Sequence, residues 1–409
     1  MSWTENVIWW HLYPLRFVDA ESTYTAEITH RFGHIANWLD YAIELGTNGL
    51  LLAPIFASTS HGYDTLDYHR IDPRLGDEAD FDKFLRDAKA RGFRVCLDGV
   101  FNHVSEDHEI VRRALAGGPG SEDGKWLKWS DSYPMAFEGN LDLVELNFAH
   151  PPVVDYIVDV MIHWLDRGVD GWRLDAAFAV GASSWRPIIE RVKAVHPDAW
   201  ILAELIHGDY GDFVAESGVD SVTQYELWKA TWSSLNDHNL HELNHALGRH
   251  AAFCERFRPQ TFVGNHDTTR IATKLADPRH VPLAAALLMT LPGIPSIYAG
   301  DEQGFTGEKL DQAHGDDAVR PPFPLTPAGL APYGVETYAL YQRLVALRRR
   351  NPWLVAARLT TTDVTNDTMR IALAGPGGEQ LVLVLNTADE PAVVGGVAVG
   401  AHGFAVVEG

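Results

Sequence analysis

Eight short apolar runs constrain this chain more than any other feature. They lie at residues 7–10, 49–53, 94–97, 171–174, 199–203, 221–225, 260–263 and 295–299. Most are apolar on successive residues rather than alternating, as parallel strands covered on both faces are. Between them lie stretches of helical period, among them 81–91, 153–167, 185–195 and 240–257. Eight strand–helix repeats predict an α/β fold, a closed (β/α)8 TIM barrel. The third and fourth runs stand about twice as far apart as the others. The surplus contains Gly117-Gly118-Pro119-Gly120, Trp126, Trp129 and Pro134, and reads as a short, loop-rich excursion on the C-terminal face. After the eighth run, 304–333 is loop-rich. Residues 338–350 form a helix whose end, Arg348-Arg349-Arg350, complements its dipole, and Asn351-Pro352 stops it. From Leu354 the pattern changes to strands at 370–374, 381–385 and 404–407 between Gly-rich turns, a small antiparallel β domain. The expected organisation is a barrel in two parts, 1–103 and 145–350, an excursion over 104–144, and a C-terminal β domain over 351–409.

Composition narrows the function. The 409 residues carry a net charge of −22, which argues against nucleic acid or an anionic membrane as a partner. No apolar stretch reaches the roughly 18 residues of a membrane helix. Two cysteines, Cys96 and Cys254, make no disulfide framework and read as buried thiols. The start, Met1-Ser2-Trp3-Thr4-Glu5, lacks a basic region and a cleavage site, so a cytoplasmic protein is expected. No Gly-rich phosphate loop or Cys/His cluster appears, and no metal ligand is assigned.

The chemistry sits where the apolar runs end, because barrel active sites form at the C-terminal strand ends. The third run leads into Asp98-Gly99-Val100-Phe101-Asn102-His103. The fourth carries Arg173 and ends at Asp175, the fifth at Glu204, and the seventh at Asn265-His266-Asp267. The second leads to His61-Gly62-Tyr63-Asp64. One strand-end carboxylate is usually a cap or a solvated loop residue; converging Asp, Glu, His and Arg are not. Adjacent strands lie about 4.8 Å apart, which would set Asp175 and Glu204 near the roughly 5–5.5 Å carboxyl separation of retaining glycosidases. Arg173 shares a strand face with Asp175 and is expected to keep it ionised. The apolar neighbours of Glu204 are expected to raise its pKa, as an acid/base needs.

These segments resemble the α-amylase family of retaining glycoside hydrolases and transglycosidases. Asp98 to His103, Gly171 to Ala177, Ala203-Glu204 and Val263 to Asp267 match its four characteristic regions in order. Pro54-Ile55-Phe56, Ile71 to Gly76, Glu145-Leu146-Asn147 and Gly293 to Glu302 match further segments. The resemblance implies Asp175 as nucleophile, Glu204 as acid/base and Asp267 as the carboxylate that binds sugar hydroxyls. It implies His103 and His266 as hydroxyl-binding histidines, Arg173 as the arginine beside the nucleophile, and Tyr63 as a platform under the sugar. Asp98 would support the site and Asn102 brace its loop.

Where the family's amylases carry a Lys-His pair, this chain reads Ala176-Ala177. With the excursion short and poor in clustered carboxylates, the family's structural calcium is not expected and no cofactor is required. Trp9, Trp10, Trp172 and Trp200 read as core, whereas Trp126 and Trp129 are candidate sugar platforms. His207 reads as a loop residue. The implied partner is an α-linked gluco-oligosaccharide. A transglucosidase, with a sugar acceptor in place of water, remains open at this point. So does a non-catalytic carbohydrate-binding protein on the same fold, although the intact set Asp175, Glu204 and Asp267 argues against it.

Overall fold

The computed structural model describes residues 3–312 and 315–409; Met1 and Ser2, part of the chain start considered above, lie outside the described residues. All eight apolar runs contain strands, here β1 (Trp9–Leu12), β2 (Gly49–Leu52), β3 (Arg94–Gly99), β4 (Gly171–Leu174), β5 (Trp200–Ala203), β6 (Ser221–Val222), β7 (Gln260–Thr261) and β8 (Ile294–Tyr298). Each ladder is parallel, and a bridge between Thr223 and Gln260 closes the ring. The expected TIM barrel is therefore formed.

Helices cover the outside and start on local signals. Glu78–Ala90 begins with a capping box between Asp77 and Asp80, and Pro151–Asp166 begins with proline in its first turn. Inside the barrel the side chains are layered. Trp9 and Trp200 stack with ring centroids 5.1 Å apart and fill the N-terminal end with Leu51, Cys96 and Leu202. Above them the inward side chains turn polar: His11, Asp98 and Arg173 are all buried. This polar layer is the floor of the site.

The excursion leaves and returns on one hairpin stem, His103–Ser105 paired antiparallel with Leu143–Glu145. It is less loop-like than the sequence suggested, because Glu109–Gly117 is helical. Trp126 and Trp129 are half-buried and pack against the core; Trp126 meets Tyr156, and Trp129 donates to the Gly124 carbonyl. The C-terminal sheet has four antiparallel strands in the order Arg358–Thr362, Thr368–Ala374, Gln380–Asn386 and Gly403–Glu408. The first of these escaped the sequence pattern: only Leu359 in Arg-Leu-Thr-Thr-Thr is apolar and buried. Arg348 also departs from expectation. Its guanidinium is buried and donates to the carbonyls of Met289, Leu291 and Gly293, so it ties the last barrel helix to the entrance of β8. Both cysteines are free and buried.

The indole stack depends on a missing side chain. A β-carbon at Gly49 would lie 2.4 Å from the Trp9 ring. Gly49→Ala is therefore expected to lower stability by about 1–3 kcal/mol, read as a fall in the thermal midpoint; an unchanged midpoint would show that the barrel floor is loosely packed.

Candidate active site

Strand register builds the site. Arg173 on β4 is the direct cross-strand partner of Asp98 on β3, and both point into the barrel. The Nη1 group of Arg173 donates to both Asp98 oxygens, at 2.8 and 2.6 Å, and to Asp175 Oδ1 at 3.1 Å. Its Nη2 lies 2.6 Å from Glu204 Oε1. One buried guanidinium thus holds three carboxylates. The backbone amides at the ends of β4 and β5 continue the ladder, Asp175 donating to the Gly99 carbonyl and Glu204 to that of Leu174. Beyond Asp175 the chain turns sharply: Ala176 has φ 45° and its amide donates to Glu204 Oε2 at 3.0 Å. A left-handed alanine is a strained conformation that the surroundings must hold.

The opposite wall comes from β7 and the loop after β2. Asp267 Oδ2 lies 2.9 Å from His266 Nε2, and its Oδ1 accepts from Arg320 Nη2 at 2.9 Å. The Tyr63 hydroxyl donates to Asp98 at 3.0 Å and also meets His266, whose ring lies parallel to its own. Buried Arg74 donates to the Ser58 and Ser60 carbonyls and to Asp72, fixing the loop that carries Tyr63. His103 Nε2 lies 3.1 Å from the Tyr63 carbonyl. Asp98, His103, Arg173, Asp175, Glu204 and His266 are buried, and Tyr63 and Asp267 are partly open to the cleft. The eight site residues expected from the sequence are thus linked by a chain of contacts at one end of the barrel.

Three neighbours carry no sequence signal. Arg320, from the loop-rich segment after β8, holds Asp267, donates to the His266 carbonyl at 2.9 Å and lies over the Tyr13 ring. Tyr225, the first residue of the helix Tyr225–Asn236, donates to Glu204 Oε1 at 3.2 Å and accepts from Asn265. Phe137 of the excursion stacks on His103 with centroids 4.7 Å apart, and Phe178 lies beside it. It is Phe137, rather than Trp126 or Trp129, that reaches these residues.

Electrostatics separates the carboxylates. Burial pushes Asp175 well above the usual carboxylate range; Arg173 opposes this, while Glu204, Asp98 and Asp267 add to it. The expected dominance of Arg173 over Asp175 is therefore overturned, because burial outweighs the guanidinium and three neighbouring acids add to it. Burial likewise raises Asp98 against the pull of Arg173. For Asp267 burial is outweighed by His266, Arg320 and Arg173, which hold it well below that range. Burial lowers His103 to about 4, so it is neutral near pH 7.

Calcium would need six to eight oxygen ligands. The Asn102 side-chain oxygen is buried without a partner. The groups of metal-ligating side chains among the described residues are Asp277–His280–His402 and His30–Asp77–Asp80, and neither includes Asn102 or a residue of this site.

A barrel with paired carboxylates at its C-terminal strand ends, one of them hydrogen-bonded by neighbouring strands, is the construction of a glycoside hydrolase. The comparisons agree. The family model described as "Alpha amylase, catalytic domain" matches residues 11–141 and 128–323. A cyclomaltodextrinase of Geobacillus thermopakistaniensis is 29% identical over 433 residues, covering 96% of this chain and 71% of that protein. An intracellular maltogenic amylase of Bacillus subtilis is 30% identical over 343 residues, covering 75% of this chain and 57% of the relative. The structure of cyclic α-maltosyl-(1→6)-maltose hydrolase from Arthrobacter globiformis superposes with TM-score 0.86 at 25% identity, covering 100% of this chain and 99% of that one. The chain belongs to the α-amylase family and is a glycoside hydrolase.

The raised Asp175 pKa has a kinetic sign. Were Asp175 the nucleophile, as proposed below, activity would be lost as pH falls through its pKa. The acid limb of kcat/KM on an aryl α-glucoside is therefore expected above the ordinary aspartate value of about 3.9; a limb at or below that value would contradict the charge balance described.

Proposed function

We propose that the enzyme cleaves α-glucosidic bonds of short α-linked gluco-oligosaccharides with retention, through a glycosyl ester on Asp175. The observation that carries this reading is the pairing of Asp175 and Glu204 on the two nitrogens of one guanidinium, at the ends of adjacent strands. In the first step an Asp175 oxygen attacks the anomeric carbon while Glu204 gives its proton to the departing glycosidic oxygen. In the second, Glu204 takes a proton from water, the water oxygen bonds to that carbon, and the bond to Asp175 breaks. The reactive protonation state has Asp175 ionised and the proton on Glu204. Arg173 contacts both acids, so that proton moves within one hydrogen-bonded unit.

In this reading Asp267, His266 and His103 hold the hydroxyls of the glucosyl ring and Tyr63 supports it. The excursion over 104–144 walls one side through Phe137, and 351–409 stands as a separate β domain. A cytoplasmic location belongs to the same proposal, in keeping with the Bacillus subtilis relative's being named intracellular.

The Glu204→Gln variant tests the mechanism. Substrates with good leaving groups need no proton in the first step, so aryl glucosides are expected to keep far more of that step than natural sugars. The ester on Asp175 then accumulates and is visible by mass spectrometry. Equal losses on both substrates, with no adduct at Asp175, would overturn the assignment.

Substrate length follows from what the cleft offers. Ala176 and Ala177 supply no long polar side chains beyond the cleavage point, and the chain after Leu354 holds no tryptophan on which a glucan could stack. Contacts that are missing cannot stabilise the transition state of a polymer. Two relatives carry names built on small cyclic sugars, the cyclomaltodextrinase and the cyclic maltosyl-maltose hydrolase. Short oligosaccharides are therefore expected to be preferred over soluble starch. A kcat/KM that climbs steadily from maltose through maltohexaose to starch would refute this.

A further inference from the structure

A second cluster of ligating side chains lies where the barrel meets the C-terminal sheet. Asp277 and His280 flank the start of the helix Val281–Thr290, and His402 sits in the turn before the strand Gly403–Glu408, which packs on that helix. His280 Nε2 is 3.0 Å from His402 Nδ1, which is 3.9 Å from Asp277 Oδ2. We propose that Asp277, His280 and His402 bind a zinc ion that pins the C-terminal sheet to the barrel.

The spacing suits the ion. Zinc ligands at about 2.0–2.2 Å in a tetrahedron lie about 3.3 Å from one another, between the two distances observed. The hydrogen bonding suits it as well. His402 Nε2 donates to Asp389 Oδ1 at 2.8 Å, and a carboxylate only accepts, so the neutral ring presents its Nδ1 lone pair to the cluster. A carboxylate behind a histidine in this manner is the usual outer support of a zinc ligand. His280 is fully buried, and its Nδ1 has no hydrogen-bond partner. His402 holds φ 45°, so the turn accepts a strained backbone where this ring is placed. Two imidazoles with one carboxylate favour zinc over calcium or magnesium, which prefer oxygen. A water completes the tetrahedron. The present cation at the site is Arg279, which grips both Asp277 oxygens and is more than half exposed. Zinc entry displaces it from Asp277.

The test is zinc stoichiometry and affinity on the full chain, by equilibrium dialysis with Zn²⁺ and with Ca²⁺ or Mg²⁺ as controls. One zinc per chain is expected, accompanied by a higher thermal midpoint, and neither control ion reproduces it. His402→Asn keeps a residue that tolerates the left-handed backbone and is expected to abolish binding. Asp389→Asn is expected to weaken it about 10- to 100-fold. Arg279→Gln is expected to tighten it, an effect that a merely structural Asp277–Arg279 pair would not produce. Absence of stoichiometric zinc in the natural chain, or its retention in a folded His402→Asn chain, would overturn the proposal; His402→Asn keeps the test decisive even if His280→Ala fails to fold.

Discussion

The guanidinium of Arg173 is the contact on which the rest of the site depends. It lies at the centre of the barrel, buried, with Asp98, Asp175 and Glu204 around it. Such a group is costly to desolvate, and only a full set of hydrogen-bonded partners offsets that cost. The partners in turn fix the strands. Because side chains alternate along a strand, a slip of one residue in β4 would turn Arg173 and Asp175 out into the helices and bring Trp172 and Leu174 inward. The indole stack below and the arginine above therefore specify the same register from two directions. Removing the arginine would leave three buried carboxylates facing one another, so its role in folding and its role in chemistry are not separable.

That same contact explains what was legible in the sequence. The strands are buried on both faces, so apolar runs mark most of them, with β7 (Gln260–Thr261) placed by the Phe262-Val263 that follow it, and the polar residues after the runs mark the candidate site. Asp98, Arg173, Asp175 and Glu204 are readable because they sit at strand ends, where position in sequence is position in space. Arg320, Tyr225 and Phe137 are not. Arg320 comes from an irregular segment with no periodicity, and it reaches Asp267 across 53 residues of sequence. Phe137 lies in a short 3₁₀ turn of the excursion, whereas Trp126 and Trp129, the more conspicuous aromatics there, pack against the core. His402 and His280 are separated by 122 residues, which hides their pairing from any reading of local spacing. Composition could not reveal the direction of the Asp175 shift either, since it depends first on burial and then on how many acids surround one base.

The distribution of charge is the last link between fold and chemistry. Four carboxylates, Asp98, Asp175, Glu204 and Asp267, face two guanidiniums, Arg173 and Arg320, and neutral His103 adds nothing to the positive side. Fixed negative charge in a site shielded from water favours a reacting centre that becomes positive, as an oxocarbenium-like anomeric carbon does. The carboxylates divide this work by environment. Asp267 has its own arginine and histidine, which hold it ionised, and in the proposed mechanism it is a constant charge beside the sugar. Asp98 and Asp175 are both pushed up by burial against the pull of the one guanidinium they share. A site that supplies a nucleophilic carboxylate and a carboxylic acid at once needs one proton distributed over neighbouring acids, and burial of Asp98 and Asp175, working against the pull of Arg173, is what favours keeping it.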